Sequence, residues 1–414
     1  MTASAAQRRI ARLASLAGVH RAFHWLHLHQ PQLRSWQMEL SGIAAPPFQE
    51  EARAHWFLQR FAELGLSNIH LDAEGNALAE LQPETPVAGQ PCLLLSAHLD
   101  TVFPAGTACQ PSQAEDSARL TGPGICDNAA GLTGLLAMAA ALRYARIVPP
   151  VPLVFAANVG EEGEGDLRGM RHLFAHEPYR NRIAAAIALE GAGTETVVTR
   201  ALGSRRLRVT ITGPGGHSWT DAGAPNPILV LCQALSQLSS IPLPATPRTT
   251  LNVGHISGGT SVNSIPASAT ALLDLRSTDP EQLLATETRL RALLASNLAA
   301  SSPLLQLKIE TIGNRPAAAL PETSSLLFTV RAVDRHLNLH TEQRIGSTDA
   351  NIPLALGIPA VALGAGGRGG GIHTLQEWYD PTGRELALRR ILLTVLDMLH
   401  QIKDASDQEP SDAR

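Results

Sequence analysis

His98 and Asp100 close the apolar run 92–97, and the two-residue period of a strand puts both side chains on one side of it. An acid next to a histidine can fix the imidazole tautomer and raise its basicity toward a metal, although a histidine at a strand end is also commonly just hydrogen-bonded. Glu161 and Glu162 follow the apolar run 151–158 inside Val-Gly-Glu-Glu-Gly, where neighbouring side chains diverge, so one could bind a cation while the other carries a proton. A solvated acidic loop is the plainer alternative. Glu190 ends the run 183–189, and an acid at such a place is costly to bury unless it is paired or bound to a cation. Asp127 opens a helix after the glycine-rich turn 122–126, and His373 follows the glycine-dense loop 365–371. The turn does not fit G-x-G-x-x-G and no Gly-Lys-Ser or Gly-Lys-Thr follows it, which argues against a nucleotide cradle. Together His98, Asp127, Glu162, Glu190 and His373 supply two histidines and three carboxylates, a donor set suited to zinc, cobalt or manganese. Five protein ligands are what two ions sharing a bridging carboxylate require.

The elements that must position these residues are readable from periodicity. Apolar residues at helical spacing over 50–64 end at Gly65, a residue suited to the left-handed position after a helix. Apolar runs at 92–97, 151–158 and 183–189 alternate with helical stretches at 128–144 and 169–175, the pattern of a mostly parallel sheet covered on both faces. Open sheets of this kind place their sites at the C-terminal strand ends. At Gly203 the texture changes to polar and apolar alternation. The stretch 203–313 then reads as strand, helix opening at Asn226-Pro227, two strands, helix opening at Asp279-Pro280, and strand. That is the order of the ferredoxin-like split motif. After 314 the first texture resumes, with a helix near 323–334, a strand at 358–363 and a final helix from 384 to about 402. The expectation is an α/β catalytic domain with a mostly parallel sheet over 1–202 and 314–414, interrupted by an α+β domain at 203–313. Residues 404–414 read as a frayed polar tail.

Length and composition agree with such a chain. Its 414 residues, 44% hydrophobic and 17% charged, suffice for one large core or two. With 33 Lys+Arg against 37 Asp+Glu the charge is too balanced for the cationic field that nucleic acid requires. Lys308 and Lys403 are the only lysines, and the arginines form no patch. No apolar stretch approaches the length of a membrane span, and residues 1–19 fit neither a signal peptide nor an anchor. Cys92, Cys109, Cys126 and Cys232 have no C-x-x-C spacing, so a reducing, cytoplasmic location is expected.

Read as motifs, 96–104 (SAHLDTVFP), 122–127 (GPGICD), 160–162 (GEE), 213–218 (GPGGHS), 261–266 (SVNSIP), 274–276 (DLR), 346–350 (GSTDA) and 373–377 (HTLQE) closely resemble the di-zinc peptidase and deacylase family. That family contains carboxypeptidase G, succinyl-diaminopimelate desuccinylase, acetylornithine deacetylase, aminoacylase and peptidase T. The resemblance runs from about Pro46 to the end in the family's order. It implies a zinc-peptidase-like catalytic domain with an inserted ferredoxin-like lid and dimerisation domain. It also implies that Asp127 bridges two zinc ions, that His98 and Glu190 complete one site, and that Glu162 and His373 complete the other. Glu161 would be the general base, taking a proton from the bridging water and passing it to the leaving nitrogen. Asp100 would orient His98, and His217 would reach the neighbouring subunit's site to stabilise the oxyanion, which makes the protein a homodimer. Asn263 and Arg276 resemble substrate-holding positions, with Ser347, Thr348, Asp349 and the glycine loop 364–371 lining the pocket floor. The resemblance further implies a cis peptide at Asp127-Asn128.

The activity this suggests is hydrolysis of an amide bond in a small peptide or N-acyl amino acid. Glu190 in place of aspartate, together with Arg276, favours a carboxypeptidase or deacylase, while the GEE and STDA blocks leave a di- or tripeptide aminopeptidase as the alternative. A catalytically silent binding protein is the rival from another class, and it would lack the base or the bridging acid. His217 has a simpler reading as a hydrogen-bonding member of its own glycine loop, and Cys126 as a packed side chain instead of a soft metal contact. His172, His176 and His255 read as structural or surface residues. The first forty residues, with His20, His24, His27 and His29, read as an exposed helical segment.

Overall fold

The computed structural model describes residues 3–115 and 117–408. Two compact units divide it, residues 1–199 with 319–414 and residues 200–318, so the division falls a few residues outside the change of texture at 203 and 313. The reason is local: the strand Thr196–Ala201 runs almost directly into Gly203–Thr212, and the texture changes at the second strand.

The larger unit is built on a sheet whose strands run in the order Ser67–Leu71, Ala77–Leu81, Leu153–Asn158, Cys92–His98, Ile183–Leu189, Ala360–Leu363 and Thr196–Ala201. The four central strands from Leu153–Asn158 to Ala360–Leu363 are mutually parallel, and the flanking ones pair antiparallel. All residues of Cys92–His98 and Leu153–Asn158 are buried, as expected of strands covered on both faces. Leu153–Asn158 starts two residues later than the apolar run because Pro152 lacks an amide hydrogen for the ladder, and Ala360–Leu363 likewise begins after Pro359. Helices Ala129–Ala145 and Arg384–Gln408 pack against this sheet and each other. The second of these continues to Gln408, so the expected fraying over 404–414 is absent as far as that residue, and the rest of that tail lies outside the described residues. Gly65, at φ +68°, follows the helix Glu51–Glu63.

Residues 3–41 are helical as expected, but a face of each helix is buried instead of exposed. They form helices Ala3–Ala14, Ala17–Leu28 and Gln30–Ser41, whose Ile10, Ala22, Leu26, Leu33 and Leu40 are fully buried. Ala17–Leu28 and Gln30–Ser41 pack on Ala129–Ala145, and Ala3–Ala14 packs on Ser325–His336. The Arg9 guanidinium donates twice to the Asp397 carboxylate at 2.8 Å. The apolar face of these helices needed a partner that periodicity alone does not name. A small sheet of Arg368–Gly370, Trp378–Asp380, Leu120–Thr121 and Ser112–Gln113 has strands of two or three residues, too short to show a period in the sequence.

The second unit is a four-stranded antiparallel sheet ordered Thr249–Gly258, Ser268–Ser277, Gly203–Thr212, Gln306–Arg315. Its helices Pro227–Ser236 and Pro280–Ala299 begin as the capping pairs predict. Asn226 accepts from the amides of Ile228 and Leu229, and Asp279 from that of Gln282. Leu207, Val209, Ile211, Leu231, Ala271, Leu273, Leu275 and Leu290 form its core. No helix of the described residues is long and apolar enough to cross a membrane.

Candidate metal centre

The parallel register brings the candidate ligands to one edge of the sheet. His98 lies opposite Asn158, after which the chain turns through Gly160 to Glu161 and Glu162, and Leu189 lies opposite Leu363, which sets Glu190 beside them. Asp127 arrives from the start of helix Ala129–Ala145. Its two carboxylate oxygens face different histidines: Oδ1 is 3.1 Å from His98 Nε2, and Oδ2 is 3.2 Å from His373 Nε2. His98 Nε2 is also 3.3 Å from Glu190 Oε1, and His373 Nε2 is 3.1 Å from Glu162 Oε1. Two triads therefore share Asp127, namely His98, Asp127 and Glu190, and Asp127, Glu162 and His373. The peptide Asp127-Asn128 is cis.

These separations match the edge of a tetrahedron, about 3.3 Å for bonds of about 2.0 to 2.1 Å to nitrogen and oxygen. Glu190 Oε2 is buried and has no hydrogen-bond partner among the described residues, as a group aimed at a cation would be. A ring nitrogen of His98 and oxygens of Glu161 and Glu162 also lie within 4.8 Å of one another, so Glu161 stands beside the triads without belonging to either. The residues present fit a pair of divalent cations.

His98 Nδ1 donates to the Asp100 backbone carbonyl at 3.0 Å, which leaves Nε2 as the ring nitrogen that faces the triad. The Asp100 carboxylate is 3.5 Å from Nδ1, and its short bonds go elsewhere: it accepts the Glu161 amide at 2.9 Å and the Glu162 amide at 2.7 Å. Asp100 thus holds the backbone of Glu161 and Glu162 more tightly than it holds the imidazole. Burial would raise its pKa, but His98 and those amides hold it below the ordinary carboxylate value. Beneath it the buried Arg53 donates to Leu99 O and Ile43 O, each at 2.7 Å.

Asn128 both caps and ties. Its Oδ1 accepts the amides of Gly131 and Gly191 at 3.1 and 2.9 Å, and its Nδ2 donates to Leu189 O at 2.9 Å, fixing the strand end that carries Glu190. A Cβ at Gly131 would lie 2.5 Å from Leu189 O and closer still to Asn128 Oδ1. Gly131→Ala is therefore expected to destabilise the protein by about 2 kcal/mol or more, read as a fall in urea midpoint, and an unchanged midpoint would contradict this account of the cap.

The remaining expected residues divide. Thr348 and Asp349 are buried, the Thr348 hydroxyl accepting from the Ala350 amide at 3.2 Å and Asp349 Oδ2 from Asn158 Nδ2 at 2.8 Å. Both side chains are engaged inside the fold, and Ser347 is half-buried beside them. In the glycine loop, a Cβ at Gly366 would lie 2.7 Å from Arg384 Cα, so the close approach there is to the chain's own backbone. Cys126 packs with Leu120, Ile125, Ala130 and Tyr379, and burial pushes its thiol pKa up, which disfavours a thiolate ligand. In the second unit, His217 Nδ1 accepts the amides of Trp219 and Thr220 at 3.2 and 3.3 Å, which places its proton on the exposed Nε2. Asn263 adjoins it through the backbone, its main-chain carbonyl accepting from the Ser218 amide at 3.0 Å. Arg276 Nε donates to Asp274 at 2.7 Å. His172 and His176 stack on each other. Glu377 was part of a motif without a role; it is fully buried and accepts three backbone amides of the Asp127 loop.

In the metal-free protein, hydrogen bonding to Asp127 raises the His373 pKa to about 9. Burial would lower that of His98, but Glu190, Asp100 and Asp127 carry it well above 6.5. Burial raises Glu190 to about 7, against the opposing pull of His98. All three groups hold protons more tightly folded than unfolded. The stability they contribute is complete below the unfolded values and is lost as pH rises through the folded ones. In excess chelator the melting temperature is therefore expected to be lower at about pH 9 than at about pH 6, and a flat or rising trend would contradict the clustering.

The model of peptidase family M20/M25/M40 matches residues 94–397, well over half of the chain. A probable carboxypeptidase of Aspergillus clavatus is 30% identical over 247 residues, 55% of this chain and 54% of that protein, so the chain spans about half the length of the curated relatives it matches. The fold is similar to that of a Staphylococcus aureus tripeptidase, with TM-score 0.71, 21% identity, and coverage of 90% of this chain and 98% of that one. It is also similar to a Bacillus subtilis protein described as a dinuclear metal-binding peptidase, with TM-score 0.66, 16% identity, and coverage of 89% and 98%. A family model matched across the strands, turns and helix ends that assemble the two triads means that the chain belongs to peptidase family M20/M25/M40.

Proposed function

We propose that the chain is a zinc-dependent amidohydrolase that cleaves a small peptide or N-acyl amino acid next to a free carboxylate, acting as a carboxypeptidase or deacylase. The observation that carries this reading is the pair of triads sharing Asp127 with Glu161 alongside. Two divalent ions held there would polarise the scissile carbonyl and make water a nucleophile near neutral pH, with cobalt or manganese able to replace zinc. Glu161, buried and anchored through its amide to Asp100, takes the proton of the attacking water and delivers it to the leaving nitrogen. His217, with Nδ1 occupied by its own loop, offers Nε2–H to the carbonyl oxygen as negative charge develops. Arg276 and Asn263 hold the substrate's carboxylate end.

The carboxypeptidase name of the relatives and the glutamate at position 190 support recognition of a free carboxylate. A homodimer is supported by the outer strand of the second unit, Thr249–Gly258, whose outer edge pairs with no strand among the described residues and whose Val253 and Ile256 are 39% and 48% exposed. Four free cysteines support a reducing, cytoplasmic setting.

The test is a mass-spectrometric hydrolysis panel on zinc-loaded protein, with free-amino tripeptides, N-acyl amino acids and the C-terminal amide of each. Cleavage of N-acyl amino acids that is lost on amidation, with the discrimination weakened in Arg276→Ala, is the expected result. Cleavage that needs only a free amino group would replace this reading with an aminopeptidase. No cleavage of any amide would leave a binding protein.

A further inference from the structure

The loop 122–127 that carries Asp127 is gripped from two sides by residues outside both triads. On its amide side Glu377 accepts the N–H groups of Gly124, Cys126 and Asp127 at 3.1, 2.8 and 2.8 Å, and the Glu377 backbone carbonyl accepts that of Gly122 at 2.9 Å. On its carbonyl side helix Gln30–Ser41 donates twice: Gln37 Nε2 to Ile125 O at 2.7 Å, and Ser41 Oγ to Pro123 O at 3.1 Å. Gln37 Oε1 is held in turn by Arg384 Nη1 at 3.0 Å. Glu377, Gln37 and Ser41 are fully buried, so water does not compete for these bonds.

Glu377 also ends the loop that bears His373. That loop folds back on itself, the Thr374 amide donating to Gly371 O at 3.0 Å and the Glu377 amide to Thr374 O at 3.1 Å. One carboxylate therefore joins the backbone that presents Asp127 to the backbone that presents His373, whose facing atoms are 3.2 Å apart.

We propose that Glu377, buttressed by Gln37, is a positioning residue that sets the separation of Asp127 and His373 and so the affinity of the metal position formed by Asp127, Glu162 and His373. The inference rests on the two-metal reading of the site. A carboxylate has two oxygens for three amides, whereas a glutamine must turn its own NH₂ toward at least one amide donor. That amide loses its acceptor and the loop shifts, which matters because a metal tolerates displacement of a ligand by only a few tenths of an ångström.

The experiment is a zinc titration of the full-length Glu377→Gln protein against a chromogenic chelator. The affinity of at least one zinc equivalent is expected to fall about 10- to 100-fold, and because Asp127 belongs to both triads the other is expected to weaken as well. Two equivalents bound as tightly as in wild type would overturn the proposal, even with a lowered melting temperature, since Glu377 would then be purely structural. A wild-type protein binding fewer than two equivalents would overturn the two-metal reading and this inference with it. If circular dichroism shows Glu377→Gln unfolded, Gln37→Ala decides: it is expected to weaken the same equivalent by about three- to tenfold, and unchanged affinity there overturns the proposal.

Discussion

Glu161→Gln is expected to lower kcat by about 10²- to 10⁴-fold while the protein still binds two equivalents of zinc. The substitution keeps the shape and the backbone bond from the Glu161 amide to Asp100 Oδ1, at 2.9 Å, and it leaves both triads intact. It removes only the ability to accept and return a proton. Two losses then coincide, since the attacking water keeps its proton and the leaving nitrogen, a poor leaving group unless protonated, has no donor. Glu162→Gln makes the contrast, because Glu162 Oε1 stands 3.1 Å from His373 Nε2 within a triad, and its loss is expected to appear first as weaker metal binding. Metal content by mass spectrometry, with kcat on the substrate found in the hydrolysis panel, separates the two. A Glu161→Gln protein within about tenfold of wild-type kcat would remove Glu161 from the role of base.

Much of this site was legible because strand ends announce themselves. The apolar runs 92–97 and 183–189 stop at His98 and Glu190, and no strand buried on both faces tolerates such groups without a purpose. The capping pairs Asn226-Pro227 and Asp279-Pro280 marked helix starts for the same kind of local reason. The pairing of the five candidate residues into two triads is implied by the motif resemblance, since spacing along the chain does not say which oxygen of Asp127 faces which histidine. Other features were illegible because their cause is not local. Glu377 acts on amides far away in sequence, and the Asp100 carboxylate bonds to the amides of Glu161 and Glu162. Two-residue strands such as Leu120–Thr121 are too short to show a period. The burial of Leu26 and Leu33 depends on the surface that receives them, which an amphipathic pattern does not identify.

His217→Ala is expected to reduce kcat by about 10²- to 10³-fold with little change in zinc affinity, because in its proposed role it is a donor to the developing oxyanion and not a metal ligand. The tautomer supports this role: with Nδ1 accepting from the Trp219 and Thr220 amides, the neutral ring has its proton on Nε2 and can donate without first being charged. If the histidine serves the neighbouring subunit, the defect is complementable. In a dimer of one His217→Ala and one Glu161→Gln chain, one site has an intact Glu161 and receives an intact His217 from its partner, while the other site has neither. Two nearly inactive proteins mixed under conditions that exchange subunits are then expected to recover about a quarter of wild-type activity, since half the dimers are mixed and each has one working site. A histidine that served its own subunit would give no recovery, because every site in the mixture would lack one of the two groups. Activity that stayed at the level of the separate variants after verified exchange would therefore return His217 to its own chain, and a His217→Ala protein with wild-type kcat would leave it as a hydrogen-bonding member of the loop 213–218.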